Sequence, residues 1–303
     1  MAGPVLSGAE RALFASANPL GFILFKRNIE TPQQISALTA ALRESVGHDC
    51  PILIDQEGGR VQRMGPPHWP AYPCAQECDD VPAVAAAIAA DLAAVGIDVN
   101  CIPVLDILFP ETHQAIGNRA YGDSAQSVYG RGRQAIEAHL AAGITPVMKH
   151  IPGQGRATLD SHYDLPVVAA SLDELRAVDF KPFVHMAAAP FADQLWGMVS
   201  HIVYSAIDGD HPASVSAKVI DLIRKELHFD GLLLSDDVSM GALARYGAPE
   251  DRCKAMLEAG CDIALYCAGK LDEMEKIASS APRMSRESLG RYERSRIRRR
   301  PAA

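Results

Sequence analysis

An α/β protein built on a parallel sheet is the fold class this sequence predicts, on three observations. Seven short apolar runs, most of them nearly continuous in hydrophobicity, alternate with longer helical patterns along the 303 residues, as strands covered on both faces do. That alternation, over the length of one domain, allows a doubly wound sheet or a (β/α)8 barrel. Polar residues close five of the runs, and a closed barrel gathers all such ends on one face, where its active sites lie. An eighth run is not evident, so the barrel version needs one irregular or missing strand.

The elements follow in chain order. "GFILF" (21–25) reads as the first strand, and Thr31-Pro32-Gln33-Gln34 as a capped helix start with Pro at the first helical position. "PILID" (51–55) is the second strand, followed by the alanine-rich helix "VPAVAAAIAADLAAVG". "VNCIPVLDI" (99–107) precedes a helix running to about Gly143, and "TPVMKH" (145–150) leads into a long loop. Ser171-Leu172-Asp173-Glu174 is a capping-box start. "GMVSHIVY" (197–204), "GLLLSD" (231–236) and "CDIALYC" (261–267) complete the strands. The polar strand ends are Asp55, Asp106, Lys149 with His150, His201 and Asp236.

Composition narrows the class. Hydrophobic residues make up 48% and charged residues 22%, ordinary for a globular protein with a sizeable core. No apolar run approaches the roughly 20 residues of a membrane span, so no membrane partner is expected. The N-terminus lacks a basic segment followed by an apolar one, which predicts no secretory signal and a cytoplasmic protein. Seven scattered cysteines without a C-x-x-C pair read as reduced core thiols. A net charge of −8 argues against nucleic acid as a partner. The exception is a basic tail over 291–303, read as a last helix turn that frays.

The loop after the fourth strand, "MKHIPGQGRATLDSHYDLP" (148–166), has no helical or alternating period; such connections carry function or disorder. A phosphate cradle fails, because Gly153-Gln154-Gly155 is followed by Arg156 where G-K-[ST] would stand. A metal set could draw on His150, Asp160, His162, His201 and Asp236, but no compact ligand pair such as H-E-x-x-H occurs, and no metal or cofactor is expected. Asp160-Ser161-His162 fits proton transfer: in an extended segment side chains two apart face the same way, so the carboxylate orients an imidazole that titrates near neutrality. Spacing alone serves equally well for a pair that pins a surface loop. Asp236 and Asp237 follow an apolar strand. Adjacent strand residues face opposite sides, so only one can enter the pocket, where a rigidly held carboxylate suits a nucleophile, while the other caps the next segment; on these residues alone both can equally be caps. Asp55, Arg63 and Arg119 offer carboxylate and guanidinium groups for gripping vicinal hydroxyls, and equally for surface salt bridges.

Several segments together resemble bacterial cytoplasmic β-N-acetylglucosaminidases (β-hexosaminidases) of glycoside hydrolase family 3, the peptidoglycan-recycling type. They are "GFILFKRNIETPQQ", "ILIDQEGGRVQR", "IPVLDI", "IGNRAYG", "MKHIPGQGRATLDSH" and "LLLSDDVSMGA", in the expected order between about residues 3 and 268. The resemblance implies a single TIM-like catalytic barrel over 1–303 and a retaining mechanism. It assigns the nucleophile to Asp236, the acid/base to His162 with Asp160 as its partner, and sugar binding to Asp55, Arg63, Arg119, Lys149 and His150. Asp106 and His201 are expected only to line the pocket. Gln154 stands where the family usually has His or Asp, and Asn118 where it often has Asp. The glycines between His150 and Asp160 read as a hinge.

The expected activity is hydrolysis of terminal non-reducing β-linked N-acetylglucosamine from muropeptides, by a monomer or weak homo-oligomer whose partner is a small carbohydrate. The alternatives are a phosphorylase, in which phosphate replaces water, and a sugar-binding protein without turnover.

Overall fold

The structure, a computed structural model, describes residues 1–296. All seven anticipated runs contribute strands to one sheet: Phe22–Leu24, Ile52–Ile54, Val99–Asn100, Thr145–Ile151, Trp196–Val199, Leu232–Asp237 and Ile263–Leu265. Each pairs in parallel with the next in chain order. A doubly wound sheet would reverse its order at a switch point; this one does not, so the chain winds one way, as in a barrel.

The curl is visible in the packing. One apolar cluster takes Ile23, Leu53, Val99, Val147, Trp196, Leu232 and Leu265, a residue from every strand. Such a cluster is the filled interior of a TIM-like barrel. Among the described residues no eighth strand joins the last to the first. Arg27 bridges that seam instead, donating from Nε to the Met1 carbonyl at 2.9 Å and from its terminal nitrogen to the Cys267 carbonyl. The barrel is therefore irregular at one seam.

Helices cover the outside, and their starts follow the sequence signals. Thr31 caps the helix Pro32–Val46 by accepting from Gln34 N at 3.2 Å, while the Gln34 carboxamide accepts from Glu30 N. Ser171 and Glu174 form the reciprocal capping box. The third strand is shorter than the run 99–107, with regular pairing only at Val99–Asn100. Pro103, without an N–H, cannot continue the ladder, and pairing resumes where Leu105 N donates to the Lys149 carbonyl at 2.6 Å.

The basic tail begins inside a helix. Residues 291–295 lie in the helix Arg286–Ser295, where Arg291 is 9% exposed and pairs with the buried Asp262 at 3.1 Å. Ser295 accepts from Trp196 Nε1 at 2.7 Å, tying this helix to the barrel interior. The rest of the tail, 297–303, lies outside the described residues. No described helix is long and apolar enough to cross a membrane. All seven cysteines are free, six of them buried.

Candidate active site

The strand ends converge as the sequence suggests, and buried polar pairs hold them. Asn100 and Gln56 exchange hydrogen bonds of 3.0 Å across neighbouring strand ends. The Gln56 carboxamide then accepts from Arg63 N and Met64 N at 2.8 and 3.0 Å. This folds the hairpin that returns Arg63 beside Asp55. The Arg63 guanidinium lies 3.3 Å from Asp55 Oδ2 and over the Phe25 ring.

A compact charge cluster results. Lys149 Nζ donates to Asp55 Oδ1 at 2.8 Å and reaches Glu57 Oε1 at 2.6 Å. Arg119 grips Glu57 with two bonds of 2.8 Å, the bidentate fork that guanidinium and carboxylate favour. Burial alone would raise both carboxyls. For Asp55 the charges of Lys149 and Arg63 outweigh it and hold the group far below the usual range. For Glu57, Arg119 and Lys149 do the same and bring it to about 2. Burial works against the Lys149 ammonium, yet Asp55 and Glu57 raise it above its ordinary value.

Glu57 is absent from the sequence-derived set. The signal was there: it stands two residues after Asp55, and period-two alternation puts such pairs on one side.

Asp106 and His201, expected only to line the pocket, are both fully buried and tie neighbouring groups together. Asp106 sits behind His150: Oδ2 meets His150 Nδ1 at 2.7 Å, while Oδ1 accepts from Gln154 N at 2.6 Å. The carboxylate so fixes the imidazole's rotation and directs its other nitrogen away. His201 Nδ1 meets Ser214 Oγ at 2.8 Å and Nε2 meets the Asp237 carbonyl at 3.0 Å. Burial lowers the His201 pKa, opposed by the charge of Asp236. Among the described residues no three His, Cys, Asp or Glu side chains are grouped as metal ligands.

The two adjacent aspartates divide as alternation requires. Asp237 accepts from Ser239 N at 2.9 Å and Cys267 N at 3.0 Å, closing the turn after its strand. Asp236 accepts from Asp237 N at 2.8 Å. Burial pushes the Asp236 carboxyl up, but His201, His150, that N–H and Lys149 together bring it below the ordinary value. It is thus kept as an anion on a rigid strand end.

The long loop splits into two halves. Ile151–Ala157 is pinned: Gly153 has φ +135°, and a Cβ on Gly155 would fall 2.0 Å from the Ile107 carbonyl oxygen. Thr112 donates to the Gly155 carbonyl at 2.6 Å, and Arg156 pairs with Asp179 at 2.8 Å. These glycines make close backbone contact and fix this stretch, where a hinge was expected. The second half is outward. The His162 side chain is 62% exposed. Its Nδ1 meets Asp160 Oδ1 at 2.7 Å, and the same oxygen accepts from His162 N at 3.0 Å. The pairing comes from a turn, with Tyr163 N and Asp164 N on the Asp160 carbonyl, not from the extended geometry anticipated. Burial raises the Asp160 carboxyl, but the hydrogen bonds and charge of His162, with His113, together bring it below its ordinary value.

Known proteins match over nearly the whole chain. The glycosyl hydrolase family 3 N-terminal domain matches residues 7–289. A β-hexosaminidase of Stenotrophomonas maltophilia (strain R551-3) is 35% identical over 89% of this chain and 83% of its own length. One from Methylococcus capsulatus (strain ATCC 33009 / NCIMB 11132 / Bath) is 36% identical over 98% and 91%. Among solved structures, NagZ from Neisseria gonorrhoeae in complex with N-trifluoroacetyl-D-glucosamine superposes with a TM-score of 0.87 at 28% identity. That match covers 98% of this chain and 88% of the other.

Proposed function

Because the chain belongs to glycoside hydrolase family 3, as a glycosidase of the β-hexosaminidase type, we propose that it removes terminal non-reducing β-linked N-acetylglucosamine from muropeptides with retention of configuration. In the first step Asp236 attacks the anomeric carbon while His162, as imidazolium, gives its Nε2 proton to the departing oxygen. In the second, neutral His162 takes a proton from water, which attacks the glycosyl–Asp236 ester and releases the sugar. Asp160, on Nδ1, holds the ring in the tautomer that leaves Nε2 for the substrate.

The observation that carries this reading is the pairing of two unlike groups. Asp236 is a half-buried carboxylate held below its ordinary pKa on a strand end, while the Asp160–His162 couple stands exposed on the neighbouring loop. Asp55, Arg63, Arg119, Lys149 and His150 would grip the sugar hydroxyls and acetamido group, with Glu57 and Asp106 holding them in place. The muropeptide substrate, a cytoplasmic location and a monomer or weak homo-oligomer extend the resemblance of the motif set.

A fluorinated N-acetylglucosaminide trap followed by peptide mass spectrometry tests the mechanism. Label on the peptide holding Asp236 is the expected result; label elsewhere removes the nucleophile assignment. No adduct at all would favour attack by the substrate's own acetamido group. Sugar 1-phosphate formed in phosphate buffer, with free sugar in a neutral buffer, would turn the hydrolase into a phosphorylase.

A further inference from the structure

We infer that Gly241 is a positioning residue for catalysis: it seats the loop that carries His162, and it is glycine because a side chain there would lift that loop. The inference rests on the reading of His162 as acid/base. Gly241 N donates to the His162 carbonyl at 2.9 Å, and Ala242 N to the Ser161 carbonyl at 3.2 Å. These two donors open the 3-10 helix Gly241–Tyr246, which has no side-chain cap. Orphan N–H groups at a helix start need partners, and here the loop's carbonyls supply them.

The steric half of the case is sharper. A Cβ at Gly241 would fall 2.7 Å from the His162 carbonyl oxygen and 2.8 Å from that of Tyr163. Gly241 is not among the glycines with a left-handed backbone, so its own conformation does not demand glycine. The demand comes from the loop lying on it.

The seat is fixed relative to the nucleophile. Asp236 ends its strand, Asp237 closes the next turn through Ser239 and Cys267, and Met240 N donates to the Asp237 carbonyl at 3.1 Å. Four residues of tied backbone, 237–240, thus connect Asp236 to Gly241. On the loop side, Ser161 is buried at 2% exposure while the His162 ring is exposed. Packing does not locate the ring. Asp160 sets its rotation, and the backbone seat sets its distance from Asp236. A proton donor displaced by a fraction of an ångström matters when the leaving group needs the proton, and hardly at all when it does not.

The test compares Gly241→Ala with Gly209→Ala, whose added Cβ would meet nothing within 4 Å, and with His162→Ala. Each is assayed on phenyl and dinitrophenyl N-acetylglucosaminides. Gly241→Ala should lose about tenfold or more in kcat/KM on the phenyl substrate and under about twofold on the dinitrophenyl one. Gly209→Ala should lose nothing on either, and His162→Ala should show a larger split in the same direction. Equal losses on both substrates, or none, for Gly241→Ala overturn the seat while leaving the acid/base reading intact. A His162→Ala enzyme without the split removes the acid/base assignment, and the seat's purpose with it. Hydrogen exchange on the unmutated protein stands apart from any folding defect: the Gly241 and Ala242 amides should be protected, and exchange at unstructured rates overturns the proposal.

Discussion

Replacing Glu57 by glutamine isolates the charge cluster from the rest of the site. The carboxylate takes two bonds from Arg119 and lies 2.6 Å from Lys149 Nζ, and its side chain is 7% exposed. Glutamine keeps the shape and one acceptor, but turns an NH2 toward a guanidinium that can only donate. Lys149 retains Asp55. Arg119 keeps the Ala115 carbonyl, at 2.9 Å, and one amide oxygen in place of a carboxylate, so its charge loses its direct counter-ion. Breaking a buried pair by removing one partner costs about 3–5 kcal/mol. The folded carboxyl is held well below its ordinary value by the same two cations, so the loss at neutral pH has the same sign. Urea titration at pH 7 should show that loss, with a fall in Tm of about 6 °C, and kcat/KM should drop about 10- to 100-fold as Arg119 loses its place. The sign of the pH dependence follows from a depressed carboxyl. The wild-type advantage is fully present above the unfolded value near 4.5 and disappears as pH falls toward about 2. A stability change under about 1 kcal/mol at neutral pH, or a gap between the two proteins that widens on acidification, would falsify the electrostatic account.

Asp236→Ala should reduce kcat at least about a thousandfold on every substrate, and steady-state kinetics with a dinitrophenyl glycoside checks it; a loss confined to poor leaving groups would mean that Asp236 acts as an acid. Asp106→Asn turns a donor or a weaker acceptor toward His150 Nδ1 and should weaken N-acetylglucosamine binding about tenfold, read by calorimetry, while leaving the Asp236 adduct chemistry in place. Arg291→Ala removes one of the two arginines on the buried Asp262; the other is Arg224 at 2.7 Å. About 1–3 kcal/mol should be lost in urea titration with kcat unchanged, because this pair lies with the terminal helix and not at the site.

Local signals gave the elements and missed most of the wiring. The strands were legible because parallel strands are apolar throughout, and the helix starts because Thr31, Ser171 and Pro32 carry their own hydrogen-bonding consequences. The order of strands was not, since alternation is the same for a wound sheet and a barrel. Asp106 illustrates the limit at the site: a carboxylate at a strand end can face the pocket or stand behind a histidine 44 residues away in sequence, and only the packing of two strands decides. The Asp160–His162 contact was anticipated with the wrong backbone, because spacing of two fits a turn as well as an extended segment. The seat at Gly241 left no trace beyond a glycine, as its meaning depends on a loop 79 residues earlier.

On the proposed assignment, the exposure of His162 bears on why an imidazole would stand where most retaining glycosidases use a second carboxylate. A carboxylic acid becomes a useful proton donor at neutral pH only when burial or a nearby anion raises its pKa by two units or more. The second half of this loop leaves that side chain in solvent: Leu159 and Tyr163 are 46% and 79% exposed, and the histidine side chain 62%. The buried cluster of Asp55, Glu57, Lys149 and Arg119 would act the wrong way, since its cations depress carboxyls. An imidazole titrates near neutrality without desolvation, so it can serve from an open loop. Its partner Asp160 need only remain ionised, which its short bonds to the same residue ensure. By this argument His162→Glu would leave a carboxylate that is deprotonated at pH 7. Its activity on a phenyl glycoside should be close to that of His162→Ala and should rise as pH falls toward 4 to 5, where glutamate protonates. A glutamate variant that matched the histidine enzyme at neutral pH would show that the loop closes over the substrate and desolvates the group, and would shift the explanation from residue chemistry to loop motion.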